Sequence, residues 1–375
     1  MAGIYLHIPF CKQACHYCNF HFSTSLKQKP AFVEALLKEI ELRKDYLQQE
    51  VVKTVYFGGG TPSLLSTEEL TAILDQLHRH FTITADAEIT LETNPDNIQQ
   101  GRLQDWKKLG INRLSIGIQS FFEEDLQWMN RAHNAAEALK AVELARSTGF
   151  ENLTVDLIYG TPTLSEAHWK WNVDRLIEWK IPHISCYALT VEPKTALDHL
   201  IHTGKFPNVD PQKQADHFLL LMKWLKTAGY EHYEISNFAL PGHRSKHNSA
   251  YWQSEHYIGL GPSAHSFNTI SRQWNIANNA IYIKEVKNGG IYWEKETLTH
   301  KDVANEYIMT ALRTTEGIHY KKIASLLTTE EMNSFTQLLL SSKWKQYFIQ
   351  STERIALTDD GKLFADAISS DLFFE

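Results

Sequence analysis

The sequence predicts an α/β chain whose core is a partial (β/α)6 barrel of TIM-like type, followed by a smaller C-terminal α+β unit. Two observations predict it. Over the first ~230 residues, short β-rich runs alternate with helical periodicity six times, the pattern of a parallel sheet with helices outside. Polar, glycine-rich sequence follows most of the expected strands, where a parallel barrel keeps its chemistry. Six units suit an incomplete barrel better than a closed eight.

The expected strands are 3–8, 54–57, 88–92, 113–118, 153–158 and 183–189. Between them, Ser66 and Glu69 form a capping box ahead of Leu70, Ile73, Leu74 and Leu77. Asn134 and Glu137 open a second helix that Gly149 stops, and Asp210-Pro211 starts one that ends at Gly229. The segments GGGTP (58–62), ETNPD (92–96), GIQSF (117–121), DLIYGTP (156–162) and TVEP (190–193) follow the second to sixth strands. Any one reads as an ordinary turn. Five of them at strand ends point to one shared cleft. We expect residues 1–230 to form the barrel, 231–298 an aromatic and His-rich segment, and 299–375 a small winged-helix-like domain ordered helix, helix, hairpin, helix. Asp360-Gly361 is expected as a turn.

Length and composition bound the function. The 375 residues are 43% hydrophobic and carry a net charge of −7, which gives no general attraction to nucleic acid or anionic lipid. The longest aliphatic runs, such as 218–222, fall far short of the ~20 residues of a membrane span. The first residues lack a basic segment followed by an apolar one, so a cytoplasmic location is expected.

Cys11, Cys15 and Cys18 lie within eight residues, directly after the first strand. Zinc usually takes four ligands, often from two paired motifs, and no second pair is present. Three thiolates suit a [4Fe–4S] cube with one iron left open for chemistry. A zinc knuckle using His7, His16 or His21 and three unrelated buried thiols are the alternatives. Cys186 lies within the sixth strand and reads as a small buried hydrophobe.

Cys-x3-Cys-x2-Cys with Tyr17 before the last cysteine resembles the radical S-adenosylmethionine (SAM) superfamily. In that family the open iron is chelated by SAM, whose reductive cleavage yields a 5′-deoxyadenosyl radical. YLHIPFCKQACHYCNF, YFGGGTPSLL, EITLETNPD, NRLSIGIQSF, DLIYGTP and KHNSAYW together resemble the HemN/HemW group over nearly the whole chain. Within it, the haem chaperone branch is the nearer likeness.

The resemblance implies a barrel of the radical SAM type with a [4Fe–4S] cluster on Cys11, Cys15 and Cys18. It implies SAM contacts from Tyr5, Tyr17, Gly59, Gly60, Thr61, Glu92, Gln119, Arg131 and Asp156. Glycines in the GGGTP loop are expected to let backbone N–H groups approach the ligand, and Arg131 to pair with a carboxylate of SAM or of a porphyrin. His247, Asn248, Tyr251 and Trp252 match an HNxxYW haem motif, with His247 as axial ligand and His243, His256 and His265 as nearby alternatives. The implied activity is haem binding and transfer to an acceptor protein, with an electron donor for the cluster. The alternative is oxygen-independent coproporphyrinogen III oxidase, which decarboxylates propionates through the radical. That branch carries a fourth motif cysteine where Phe20 stands here, and an N-terminal extension for which Cys11 lies too near the start.

Overall fold

The computed structural model describes residues 2–374. Strands β1 (Ala2–Ile8), β2 (Val52–Gly59), β3 (Ile83–Thr93), β4 (Arg113–Gln119), β5 (Asn152–Tyr159) and β6 (His183–Ala188) pair in chain order, all parallel. Between them run α1 (Lys29–Leu42), α2 (Thr67–His80), α3 (Gln100–Lys108), α4 (Glu123–Trp128), α5 (Ala135–Ser147) and α6 (Glu166–Glu178). Both expected capping boxes form, Ser66 with Glu69 on α2 and Asn134 with Glu137 on α5. After α7 (Ala196–His202), α8 (Pro211–Thr227) begins on an Asp210 cap, and Gly229 follows its end at φ +85°.

Alternation sorts the side chains of the six strands. Ile4, Leu6, Val55, Phe57, Leu91, Leu114, Ile116, Val155, Leu157, Ile184 and Cys186 are buried in the main hydrophobic core, on the face the helices cover. Their neighbours line the inner face and are mostly polar: Tyr5 and His7, Thr54 and Tyr56, Glu88 and Glu92, Arg113 and Ser115, Asp156, His183 and Ser185. The core is thus outside the sheet, and the concave lumen is free for chemistry.

The stretch 231–298 extends this sheet at both edges. Strands β7 (Glu231–Glu234) and β8 (Asn237–Ala239) add antiparallel beside β6. After α9 (Lys246–Trp252), β9 (His256–Leu260) adds parallel beside β1. Strands β10 (His265–Phe267) and β11 (Ser271–Asn275) follow, then α10 (Asn279–Asn288) and β12 (Trp293–Thr297). The result is an open twelve-stranded sheet.

The last residues have their own hydrophobic cluster around Ile308, Leu312, Ile323, Phe335, Ile355 and Ile368. Here α11 (His300–Leu312), β13 (Ile318–His319), α12 (Tyr320–Leu326), α13 (Thr329–Ser341), β14 (Phe348–Gln350), β15 (Arg354–Leu357) and α14 (Ala365–Asp371) enclose a three-stranded antiparallel sheet in the order β13-β15-β14. The element order differs from expectation by a strand and a helix. One expected helix is two, because Thr328 caps a new start with Glu331. The expected Asp360-Gly361 turn falls one residue earlier, at Asp359-Asp360, and Gly361 opens a short 3-10 helix (Gly361–Phe364) that leads into α14. Among the described residues, no helix is long and apolar enough to cross a membrane.

Candidate functional site

The three clustered thiols sit on the loop between β1 and α1, all half-buried. The loop is tied from both sides. Cys11 N–H donates to Ser23 O (3.0 Å), and Ser23 N–H donates back to Pro9 O (2.9 Å). From the segment after β4, Asn130 Nδ2 donates to Ala14 O (2.7 Å), while His16 N–H donates to Met129 O (3.1 Å). Burial pushes the Cys11 thiol up to about 11, against the hydroxyl of Thr61 and the charge of Arg131. A cluster's iron supplies the positive charge that such a thiol needs to ionise.

His7, His16 and His21 each commit a ring nitrogen to a protein partner: His21 O (2.9 Å), Trp128 O (2.9 Å) and Asn279 Oδ1 (2.7 Å), respectively. No three His, Cys, Asp or Glu side chains among the described residues converge on a single-ion site. The zinc alternative therefore gains no support, whereas a cube spreads its thiolates over separate irons.

The GGGTP loop departs from its expected role. Gly59 N–H donates to Glu92 Oε2 (3.1 Å), Gly60 N–H to Ile8 O (2.9 Å) and Thr61 N–H to Phe10 O (2.7 Å). None of the three is left to reach a ligand. Glycine is required at 60 for another reason. A Cβ there would lie 2.7–2.9 Å from backbone atoms of Ile8 and Phe10, so the loop could not seat the cysteine segment. Thr61 is buried, and its hydroxyl accepts from Asn94 Nδ2 (3.2 Å).

Glu92 and Asp156 face each other across the lumen. Glu92 accepts from Tyr56 OH (2.8 Å), and burial with the nearby Asp156 raises its pKa to about 7. Asp156 accepts from Ser115 Oγ (3.1 Å), and burial raises it to about 6. Among the described residues neither carboxylate forms an ion pair, although the charge of Arg113 acts on both and that of Arg131 on Asp156 at longer range, and such a pair suits a ligand bearing ammonium and sulfonium charge. Gln119 stands at a register slip between β4 and β5 with φ +68°, and its Oε1 is buried without a hydrogen-bond partner. The slip turns its amide to the rim, where a ligand would complete it. These orphaned and ionisable groups, beside three thiols on one loop, fit a cluster with SAM on its open iron.

Among the described residues Arg131 forms no ion pair with a protein carboxylate. Its Nη1 donates to Cys15 Sγ (3.1 Å) and Tyr17 OH (3.2 Å), and its Nη2 to Asn94 Oδ1 (2.7 Å) and Gly117 O (2.8 Å). Its charge is spent on a cysteine sulfur, leaving only Nε unpartnered. Tyr17 packs against the small hydrophobic cluster of Leu126, Met129, Ile158, Leu189 and Leu197. Tyr5 donates or accepts at His7 Nδ1 (3.2 Å) and stacks on Tyr56 with centroids 6.1 Å apart.

Sequence reasoning passed over Tyr56, Asn94, Ser115, Ser185 and Tyr187. Tyr187 is 43% exposed, and the alternation of β6 turns it into the lumen. The signal that finds them is that same period of two, read for polar residues instead of apolar ones.

The HNxxYW residues share α9 but not a face. His247 points into the barrel: its ring stacks on Tyr56 (4.9 Å), its Nδ1 bonds Thr54 Oγ1 (2.9 Å), and burial lowers its pKa to about 4. Asn248 N–H is taken by the cap, Ser245 Oγ (3.3 Å). Tyr251 is 43% exposed and lies edge-on to Trp252. Trp252 turns away from the lumen toward the C-terminal unit, with Arg313 over its ring (5.3 Å). Five residues of helix put His247 and Trp252 about 140° apart, so the structure does not bring them together. Of the alternatives, His256 bonds Glu50, while His265 stacks on Trp274 (6.2 Å).

An open parallel barrel carries thiols, glycines and carboxylates together at the C-terminal strand ends, an arrangement with which a metal cluster and a charged nucleotide are compatible. Comparison with known proteins agrees. Residues 5–176 match the model of the radical SAM superfamily. A curated heme chaperone HemW of Bacillus subtilis is 32% identical over 98% of each chain, and that of Escherichia coli is 39% identical over 70% of this chain and 69% of its own. The solved structure of coproporphyrinogen III oxidase (HemN) from Escherichia coli, a radical SAM enzyme, superposes with a TM-score of 0.86 at 24% identity, covering 99% of this chain and 90% of that one. That last likeness is one of fold. The chain belongs to the HemN/HemW group of the radical SAM superfamily.

Proposed function

We propose that this chain is a haem chaperone of the radical SAM type: it binds haem and passes it to an acceptor protein, and it holds a [4Fe–4S] cluster on Cys11, Cys15 and Cys18 with exchangeable SAM. The observation that carries the reading is the relationship over the whole chain, not the barrel alone, to curated haem chaperones. Phe20 supports it. The residue is 66% exposed on the cluster loop and offers no sulfur where the oxidase branch has its fourth cysteine.

When bound, the cluster and SAM supply one-electron chemistry. The chain's own residues do the rest. Arg131 holds Cys15 and Tyr17 in register with Asn94, and Gly60 allows the loop to close on β2. Glu92 and Asp156 supply negative charge opposite the ligand's cationic groups, and Gln119 offers a carbonyl acceptor at the rim. Haem, an electron donor and the acceptor protein are the partners this reading implies.

The test is anaerobic. Reconstituted protein should bind SAM by calorimetry and take up hemin saturably, with a defined Soret band. With coproporphyrinogen III, SAM and dithionite it should yield no protoporphyrinogen. Catalytic turnover in that assay, or hemin uptake that never saturates, overturns the proposal.

A further inference from the structure

Asn130 and Arg131 follow the short helix α4 and turn back against the cysteine loop. Asn130 sits at φ +56°, and its side chain grips the loop twice: Nδ2 donates to Ala14 O (2.7 Å), and Oδ1 accepts from Gln13 Nε2 (2.8 Å). Arg131 N–H donates to Leu126 O (2.9 Å), so its side chain leaves from a pinned backbone. Gly117 leaves room for the guanidinium, since a Cβ there would stand 3.3 Å from Nη2. Asn94 Oδ1 and Gly117 O, two neutral acceptors, hold Nη2, and the planar fork then aims Nη1 at Cys15 Sγ (3.1 Å) and Tyr17 OH (3.2 Å).

The three sulfurs of the loop are not equivalent. Cys11 meets the hydroxyl of Thr61 and Cys18 the backbone N–H of Phe20, both neutral donors. Cys15 meets a guanidinium. Lys12, the cation beside Cys11 in the chain, is drawn off to Asp96 (2.9 Å), with its side chain 60% exposed. A hydrogen bond from a charged donor is about twice as strong as a neutral one. One added electron increases the negative charge on the sulfurs of a cube, and a cation donating to one of them favours that state.

We propose that Arg131 is a positioning residue that acts through Cys15: its Nη1–H···Sγ hydrogen bond raises the reduction potential of the cluster held on this loop. The step it biases is the transfer of one electron from a low-potential one-electron donor to the oxidised [4Fe–4S] cube, which goes from 2+ to 1+ with no bond made or broken. The proposal rests on the cluster assignment above and adds the residue that sets how readily the cube is reduced.

The experiment uses the full chain, reconstituted anaerobically with its cluster and without SAM, poised with dithionite and redox mediators. Electron paramagnetic resonance counts the reduced cube. At the potential where wild type is half reduced, Arg131→Met should lower the ratio of reduced to oxidised cluster about tenfold, which is about 59 mV for one electron. Arg131→Gln keeps a neutral donor and should lower the ratio about threefold, and Arg131→Lys, which keeps the charge, should fall between Arg131→Gln and wild type. Lys12→Met removes an equal charge from the same loop, but an exposed and screened one, and should leave the ratio within about twofold of wild type. Iron and sulfide content and circular dichroism show that each variant holds a full cube in a folded chain. Should Arg131→Met hold none, Arg131→Gln and Arg131→Lys carry the test.

Equal potentials in wild type and the Arg131 variants overturn the proposal. A shift of the same size in Lys12→Met also overturns it, because any charge on the loop would then suffice. An unmoved potential with SAM binding weakened in calorimetry reassigns Arg131 to the nucleotide, and loss of the cube in all three Arg131 variants makes its role structural; either result sinks the tuning role. A wild-type chain that holds no cube defeats the cluster assignment itself, and hemin uptake by the same samples tests the chaperone reading separately.

Discussion

The two ends of the barrel are built from similar residues and treated in opposite ways. At the N-terminal end, Glu88 accepts from the N–H groups of Lys246 (3.0 Å) and His247 (3.1 Å), the first turn of α9. Arg113 Nε stands 4.0 Å from Glu88, and its guanidinium bonds Thr154. Thr154 bonds His183 (3.0 Å), and Tyr233 OH closes the ring on His183 (2.7 Å). At the C-terminal end, Glu92 and Asp156 form no ion pair among the described residues, Gln119 Oε1 lacks a donor and three thiols lie half open. Polar groups that answer one another hold a structure up. Polar groups that wait for a partner mark where a ligand goes.

The strongest way to break this contrast is at the open end. Cys11→Ala, Cys15→Ala and Cys18→Ala should each abolish the cluster, read as iron and sulfide near zero in folded protein. Any one that keeps a full cube removes its cysteine from the ligand set.

At the closed end the largest effect should be on stability. Glu88→Ala strands the buried Arg113 and uncaps α9, so it should cost about 3–5 kcal/mol in urea unfolding. A cost under about 1 kcal/mol would show that the ring is not what holds this end.

Glu92 sharpens the contrast through pH. Its folded pKa of about 7 lies above the ordinary carboxylate value of 4.5, so the folded protein holds the extra proton between those values. Stability without ligand should therefore fall as pH rises from 4.5 to 7, by up to about 3 kcal/mol. Glu92→Gln should remove Glu92's share of that fall, leaving the part that Asp156, raised to about 6, contributes, and should weaken SAM binding, measured by thermal melts and calorimetry. An unchanged slope in the variant would take Glu92 out of the titration. The smallest effect belongs to Cys186→Ala, about 1 kcal/mol from a small cavity and no change in iron content. Loss of iron there would mean that the cluster has a fourth protein ligand.

Much of this was legible because it depends on neighbours in the chain. Ser66 with Glu69 and Asn134 with Glu137 cap their helices through contacts three residues apart, and the six strands follow from local runs. The cysteine loop announces itself by spacing. Gly60 was legible as a residue but not in its role, because the carbonyls that forbid a side chain there come from Ile8 at the end of β1 and Phe10 just after it. The contact of Arg131 with Cys15 was not legible, since an isolated arginine carries no sign of the cysteine sulfur 116 residues away. The HNxxYW segment reads as one constellation on paper. Only the seating of α9 on Glu88 turns its histidine inward and its tryptophan outward.

By itself, the order of residues determined the barrel's parallel strands, the helix ends and the three thiols on one loop, all products of short-range periodicity, capping and spacing. The tertiary structure alone decided that residues 231–298 complete the sheet at both edges, that Glu92 and Asp156 come near enough to interact without an ion-pair partner among the described residues, and that two faces of one short helix point into different spaces. The reason is physical. Burial, charge pairing and close approach depend on distances between segments far apart in the chain, and those distances exist only once the sheet has formed.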